Sequence, residues 1–190
     1  MRLPKFILAS ASPRRARLLR RRGVLFEIVP AATAEIDAAD MPYISPGEIA
    51  AYNSWTKAHA VARRHPGDIV VGCDTVVALG ARSLGKPGNK DEARDMLRQL
   101  SGRTHAVISA VAILRPATQP TLFQEVTLVR FRRLSDAEIE RYLDRVHVLD
   151  KAGAYALQQH GRSIVDAING PADNVIGLPV DRLLQELARP

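Results

Sequence analysis

The reading of the fold turns on Phe6-Ile7-Leu8-Ala9-Ser10-Ala11-Ser12-Pro13-Arg14-Arg15. Phe6 to Ala9 is a short apolar run and predicts a strand. Ser12-Pro13 offers an N-cap and a proline at the first helical position; Leu18 and Leu19 mark a buried stripe, and Gly23 supplies a stop. Strand, small-residue turn and helix follow one another within eighteen residues, from Phe6 to Gly23. Outward from this unit the alternation continues. Leu25 to Val29 predicts a second strand, followed by a polar loop. Ser45-Pro46-Gly47-Glu48 is a capping box that opens a long helix to about Arg64, broken by Pro66-Gly67. Ile69-Val70-Val71-Gly72 predicts a buried strand continuing through Asp74 to Ala78, and Asn89 with Glu92 caps a helix ending near Gly102. Residues 104–114 and 121–133, joined by Arg115-Pro116-Ala117-Thr118-Gln119-Pro120, read as an antiparallel pair. Ser135 to Glu138 caps a helix to about Arg145. Loops and short strands follow, and Asp181 to Ala188 closes as a helix. With no internal repeat or low-complexity tract, the pattern is mixed α/β with both hairpins and crossovers.

The 190 residues suit one well-buried core, or two lobes sharing a sheet, better than two independent domains. Hydrophobic residues at 46% and charged residues at 25% are ordinary for a globular chain. Apolar runs fall well short of the roughly 18 residues that would span a bilayer. The run ending at Ser10 is too short for a signal-peptide core. Cys73 is the one cysteine, so an internal disulfide is excluded and a reducing, cytoplasmic compartment is expected. A net charge of +7 favours anionic partners: nucleic acid, an acidic surface or a phosphorylated small molecule. Composition does not choose among these, and most of the paired arginines read as a solvated basic surface.

Two stretches carry chemistry. At Ser10 to Arg15 a strand runs out into a helix N-terminus, where free N–H groups, two hydroxyls and two guanidiniums suit phosphate oxygens. Equally, Ser12 caps the helix and the arginines face water; the spacing does not separate the two. At Gly72-Cys73-Asp74-Thr75-Val76-Val77 a carboxylate interrupts an apolar strand, which is costly unless it is paired or binds a metal. The plainer reading is a strand-end aspartate bonded to local backbone, and the functional one is favoured. Glu35, Lys57 and Lys86 are, singly, ordinary surface residues. Lys86-Pro87, however, follows a strand–turn–strand unit, a usual place for an active-site loop. Asp150 to Gln158 contains small residues that let backbones approach, with Gln158 able to read a base edge. Asn169 to Pro179 reads as a glycine-rich turn leading into the last helix. The five histidines lack zinc-type spacing. Neither GxxxxGK[ST] nor GxGxxG occurs, which disfavours the usual mononucleotide and dinucleotide folds.

Together these patches resemble the Maf family of nucleoside triphosphate pyrophosphatases. Ser10-Ala11-Ser12-Pro13-Arg14-Arg15, Asp74-Thr75-Val76-Val77, Gly85-Lys86-Pro87, Lys151-Ala152-Gly153-Ala154-Tyr155 and Asn174-Val175-Ile176-Gly177-Leu178-Pro179 occur in the family's order between Ile7 and Leu183. The resemblance implies a single domain over residues 1–190. Its fold would be an elongated mixed sheet flanked by helices, with two lobes around a central cleft, similar to inosine triphosphate pyrophosphatases and often in dimers. It implies cleavage between the α- and β-phosphates with a divalent metal, Mg²⁺ or Mn²⁺. Asp74 takes the role of catalytic proton acceptor, and Glu35 and Asp74 that of metal ligands. Ser10, Ser12, Arg14, Arg15, Lys57 and Lys86 hold phosphates; Arg14, Thr75 and Gln158 set base preference. Lys151 to Gln158 is similar to the subgroup preferring dTTP and UTP rather than the one preferring 7-methyl-GTP. The chain departs from the family pattern at Tyr52 to Thr56, at Cys73 and at Gln159. The resemblance carries no membrane or nucleic-acid partner. The competing class is a non-catalytic basic binding protein, since the family has been linked to inhibition of septum formation.

Overall fold

Val70–Leu79 is the strand on which the sheet is organised, and its neighbours explain where the molecule opens. The computed structural model describes residues 3–36 and 43–189. The elements are β1 (Phe6–Leu8), α1 (Pro13–Arg21), β2 (Phe26–Ile28), α2 (Pro46–Ala62), β3 (Val70–Leu79), β4 (Arg82–Leu84) and α3 (Lys90–Leu100). They continue with β5 (Thr104–Leu114), β6 (Thr121–Phe131), α4 (Asp136–Arg145), β7 (Val165–Asn169), α5 (Ala172–Ile176) and α6 (Val180–Leu187). Among the described residues seven strands form one mixed sheet, ordered β2-β1-β3-β5-β6-β7, with β4 also paired to β3. β1 runs parallel to β2 and β3, and the remaining pairings are antiparallel.

One edge of β3 pairs with β5 along nearly its whole length, from Val70 to Ala78. The other edge is shared. β1 takes Val70 and Val71, and β4 takes Val77 to Leu79. Between those two partners the edge is left open around Asp74. Successive strand residues point to opposite faces, so Asp74 faces α2 while Thr75 faces α5 and α1.

α2 lies close on this sheet because its capping box forms as the sequence predicts. Ser45 accepts from the Glu48 N–H, and Glu48 reaches back to the Ser45 N–H at 2.9 Å. Gly72 permits the approach, since a Cβ there would collide with the Ser54 carbonyl oxygen. The core divides into three clusters. One joins α3 and α4 to the far halves of β5 and β6 through Leu97, Leu100, Phe131 and Ile139. A second joins α1 and α6 to β1 through Leu8, Leu19, Leu178 and Leu183. The third lies under α2, where Val61 and Ala58 meet Ile7 and Val70. Each large side chain fully buried in these clusters stabilises by about 1.5–3 kcal/mol relative to exposure.

The predicted elements recur within one or two residues, with two differences. The later hairpin strand ends at Phe131 rather than residue 133. The stretch read as a glycine-rich turn folds residues Ala172–Ile176 into the short helix α5, closed by Gly177 at φ 125°. The polar loop after β2 runs into residues 37–42, which lie outside the described residues. No helix among the described residues is long and apolar enough to cross a membrane.

His105 is buried at 2% exposure between Phe131 and Tyr155, with Nε2 2.9 Å from the Tyr155 hydroxyl. Burial pushes its pKa down to about 4. The unfolded chain takes up this proton near pH 6.5, so the stability contributed by a neutral ring is present above that pH and lost as pH falls towards 4. The free-energy difference between wild type and His105→Leu should therefore shift by roughly 2–3 kcal/mol against the wild type between pH 7 and 4, measured by urea unfolding. Parallel pH profiles would show that the ring is not held neutral.

Candidate active site

The open edge of β3 faces a cleft of about 840 Å³. All ten residues singled out from the sequence line it: Ser10, Ser12, Arg14, Arg15, Glu35, Lys57, Asp74, Thr75, Lys86 and Gln158.

On the α2 side the centre is an ion cluster. Lys57 Nζ lies 2.6 Å from Asp74 Oδ1 and 2.6 Å from Glu35 Oε1. Lys57 and Asp74 are both only 8% exposed. Asn53, one helical turn before Lys57, donates to Asp74 Oδ2 at 3.3 Å. Asp74 is thus held by side chains of a neighbouring helix and not by local backbone, which removes the plainer reading of that residue. Glu35 also meets Lys86 Nζ at 3.3 Å. Burial pushes the Glu35 carboxyl up, but the Lys57 hydrogen bond and the Lys57 and Lys86 charges outweigh it, leaving its pKa below the ordinary value.

On the opposite face Arg15 is committed to the protein. Its Nε donates to the Gly177 carbonyl at 2.8 Å, and its terminal nitrogens donate to Ser10 Oγ at 3.0 Å and Thr75 Oγ1 at 3.3 Å. Thr75 Oγ1 also contacts Ser109 Oγ at 2.8 Å and the Gly177 carbonyl at 3.2 Å. Its hydroxyl is saturated, so any ligand contact by Thr75 falls to its methyl group or backbone. Ser12 occupies the N-cap position of α1 with extended backbone but makes no side-chain cap bond, and it lines the cleft with no hydroxyl partner among the described residues. Arg14 reaches across to Asp150, at 2.7 Å. Burial raises the Asp150 carboxyl, but hydrogen bonds from Lys151 and Arg14 pull it down to about 2. Gln158 is exposed on the cleft wall and makes no hydrogen bond to the described residues.

The SxSPRR-type segment, the β3 carboxylate and the two C-terminal motifs therefore converge on one cleft, and the sequence as a whole matches the Maf-like protein family over residues 5–190. The chain belongs to the Maf family. A dTTP/UTP pyrophosphatase of Akkermansia muciniphila is 48% identical over 178 residues, covering 94% of this chain and 92% of that protein. A dTTP/UTP pyrophosphatase of Bacillus anthracis is 44% identical over 183 residues, covering 96% and 94%. Among solved structures, a HAM1 protein from Coxiella burnetii superposes with a TM-score of 0.49 at 16% identity, covering 68% of this Maf chain and 74% of that one.

Several residues that hold the side chains of this cleft in the Maf chain were not singled out from sequence. Ser109 sits directly opposite Thr75 in the β3–β5 register, and its only signal was a lone hydroxyl in an apolar strand. Asn53 stands at the i−4 position from Lys57, so a polar residue on the buried stripe of α2 was its signal. Asp150 and Lys151 lay within a quoted patch but carried no distinguishing spacing.

The Lys57–Asp74 pair can be tested apart from activity. Lys57→Met leaves a buried carboxylate without its cation and should cost about 3 kcal/mol or more of unfolding free energy. Lys57→Met/Asp74→Asn should recover most of that loss. Equal destabilisation of the single and double variants in chemical denaturation would mean the cost is packing and not charge.

Proposed function

We propose that this chain hydrolyses nucleoside triphosphates to the monophosphate and pyrophosphate, with dTTP and UTP as preferred substrates. The observation that carries this reading is the pairing of a buried, lysine-bound carboxylate with a ring of cations in one cleft. Lys57 and Lys86 hold Asp74 and Glu35, and Arg14 and Lys151, both paired with Asp150, line the same cleft. The relatives named dTTP/UTP pyrophosphatase, at 44–48% identity over nearly the whole chain, support the same chemistry and the same bases.

In this proposal water attacks the α-phosphorus, the bond from that phosphorus to the bridging oxygen breaks, and pyrophosphate leaves. Asp74 accepts the proton of the attacking water. Arg14, Lys57, Lys86 and the Ser10 and Ser12 hydroxyls bind the phosphate oxygens, adding to the N–H groups that begin α1. Arg15 has three of its N–H groups engaged by the protein and acts mainly by holding Ser10, Thr75 and Gly177 in register. Phosphoryl chemistry asks chiefly for positioning and charge, which this set supplies without a covalent nucleophile.

The donor set also fits a divalent metal. Glu35 and Asp74 already converge on one cation, the Lys57 ammonium, at 2.6 Å each. They present hard oxygen donors from two carboxylates. That suits Mg²⁺ or Mn²⁺, which take one or two carboxylates and draw remaining ligands from phosphates and water. Such an ion would neutralise charge on the pyrophosphate leaving group. We place the reaction in the cytoplasm, where its substrates are made.

A panel of nucleotides with Mg²⁺ or Mn²⁺, assayed for pyrophosphate, tests the reading. Wild type should cleave dTTP and UTP fastest and lose activity with EDTA. Asp74→Asn should lower kcat by about 10²–10⁴-fold with the fold intact. Retention of more than about a tenth of kcat would exclude Asp74 as the base. Faster cleavage of 7-methyl-GTP than of dTTP and UTP would overturn the base assignment alone, and no pyrophosphate from any nucleotide would favour a binding protein.

Gln158 is the side chain assigned to the base. Its amide can pair with the donor and acceptors on the edge of uracil or thymine. Gln158→Ala should cost roughly 1–3 kcal/mol in kcat/KM for the preferred pyrimidine and much less for poor substrates. A uniform loss across the panel would place Gln158 on the phosphates instead.

A further inference from the structure

We infer that Asn53 is a positioning residue whose carboxamide fixes the Glu35-bearing segment against Asp74, so that the two carboxylates meet on one cation. This rests on the assignment of Glu35 and Asp74 as the reacting pair. Asn53 and Lys57 lie one turn apart on the buried face of α2, and Asn53 is 3% exposed. The two divide the carboxylate of Asp74 between them: Lys57 takes Oδ1 at 2.6 Å and Asn53 Nδ2 reaches Oδ2 at 3.3 Å. The same amide donates to the Ile36 carbonyl at 2.9 Å and accepts the Ile36 N–H at 3.0 Å. Both hydrogens and the oxygen of the carboxamide are thereby used. The orientation is also fixed, because reversing the amide would set donor against donor at the Ile36 N–H.

The segment needs this tie. Residues 30–36 belong to neither helix nor strand, and among the described residues their backbone makes no hydrogen bond to other backbone. Asn53 therefore supplies for Ile36 the two hydrogen bonds that a strand partner would supply elsewhere. Glu35 is the adjacent residue, and among the described residues its side chain is held by Lys57 and Lys86. Without the amide, two flexible lysine stems would be left to place a carboxylate that must meet Asp74 within a few tenths of an ångström. Misplacement on the scale of 1 Å is enough to cost about 10²-fold in rate.

The test combines exchange with a double-variant cycle. In ¹⁵N-labelled protein the Ile36 amide should exchange at least about 10-fold faster in Asn53→Ala than in wild type. With dTTP, kcat of Asn53→Ala should fall by about 10- to 100-fold while KM changes less than about 3-fold. In a Glu35→Gln background the same substitution should cost less than about 2-fold, because its effect runs through Glu35. Unchanged Ile36 exchange, or an equal loss in the Glu35→Gln background, overturns the inference. If Asn53→Ala does not fold, Asn53→Asp replaces it, since the isosteric carboxylate still accepts the Ile36 N–H but cannot donate. Ile36 should then stay protected while kcat falls, and loss of protection overturns the tie. Should the wild type release no pyrophosphate, the proposed activity fails, and the Ile36 exchange alone then decides whether Asn53 holds the segment.

Discussion

A lysine ammonium between two carboxylates, one of them on a buried strand, sets the terms for the rest of this structure. Asp74 is 8% exposed, and an isolated carboxylate there would be costly to desolvate. Lys57 makes the position tenable only if α2 lies directly on β3, and that closeness in turn demands a glycine at position 72 beneath the Ser54 carbonyl. The capping box that starts α2 at Ser45 fixes where along the helix Asn53 and Lys57 fall. A glycine, a helix cap and an ion pair are therefore parts of one constraint. They bring charge to a place where the hydrophobic core alone would exclude it.

The second determinant is how β3 shares its edge. β1 stops pairing at Val71 and β4 begins at Val77, so the stretch between is open on one side and fully laddered to β5 on the other. Asp74 and Thr75 are adjacent yet serve opposite faces of the sheet. One face carries the ion cluster. The other carries a polar chain from Arg15 through Thr75 to Ser109, anchored on the Gly177 carbonyl. Gly177 adopts φ 125°, which an L side chain rarely takes, and its carbonyl turns back to accept from both Arg15 and Thr75. The cleft wraps around the strand edge, and residues 162 positions apart in the chain are locked together there.

Much of this was legible in the sequence because the deciding signals are local. The Ser45 and Ser135 capping boxes, the Ser12-Pro13 helix start and the apolar runs of β3 and β5 each report on a few neighbouring residues, and each element formed within one or two residues of its expected place. Asp74 was conspicuous as a charge in an apolar strand. What could not be read was pairing at a distance. Nothing in the run Ile108-Ser109-Ala110 says that the hydroxyl faces Thr75, since register between strands decides it. Arg14 and Arg15 look equivalent in sequence, yet one helical step turns Arg15 inward to Gly177 and leaves Arg14 facing Asp150. The helix α5 was hidden because its five residues carry no side-chain cap and too few positions to show a period.

The electrostatics of the cleft follow from these pairings more than from the overall charge of +7. Around the cavity five cations, Arg14, Arg15, Lys57, Lys86 and Lys151, stand against three carboxylates, Glu35, Asp74 and Asp150. Most of those cations are already engaged by an acid of the protein itself. The arrangement holds long, flexible side chains in place before a ligand arrives, which lowers the ordering cost of binding. It also sets a threshold, because an anion must compete with Asp150 for Arg14 and with Glu35 for Lys86. Hydrogen bonds from Lys151 and Arg14 hold the Asp150 carboxyl below the usual carboxylate range, so this competition persists at neutral pH. An ordinary surface anion, with one or two acceptor oxygens, gains little by the exchange. A triphosphate presents many oxygens to several of these cations at once, and bidentate contact with a guanidinium is stronger than a single ammonium contact. In the proposed function, selectivity for a polyphosphate over a simple anion would arise from the acids as much as from the bases.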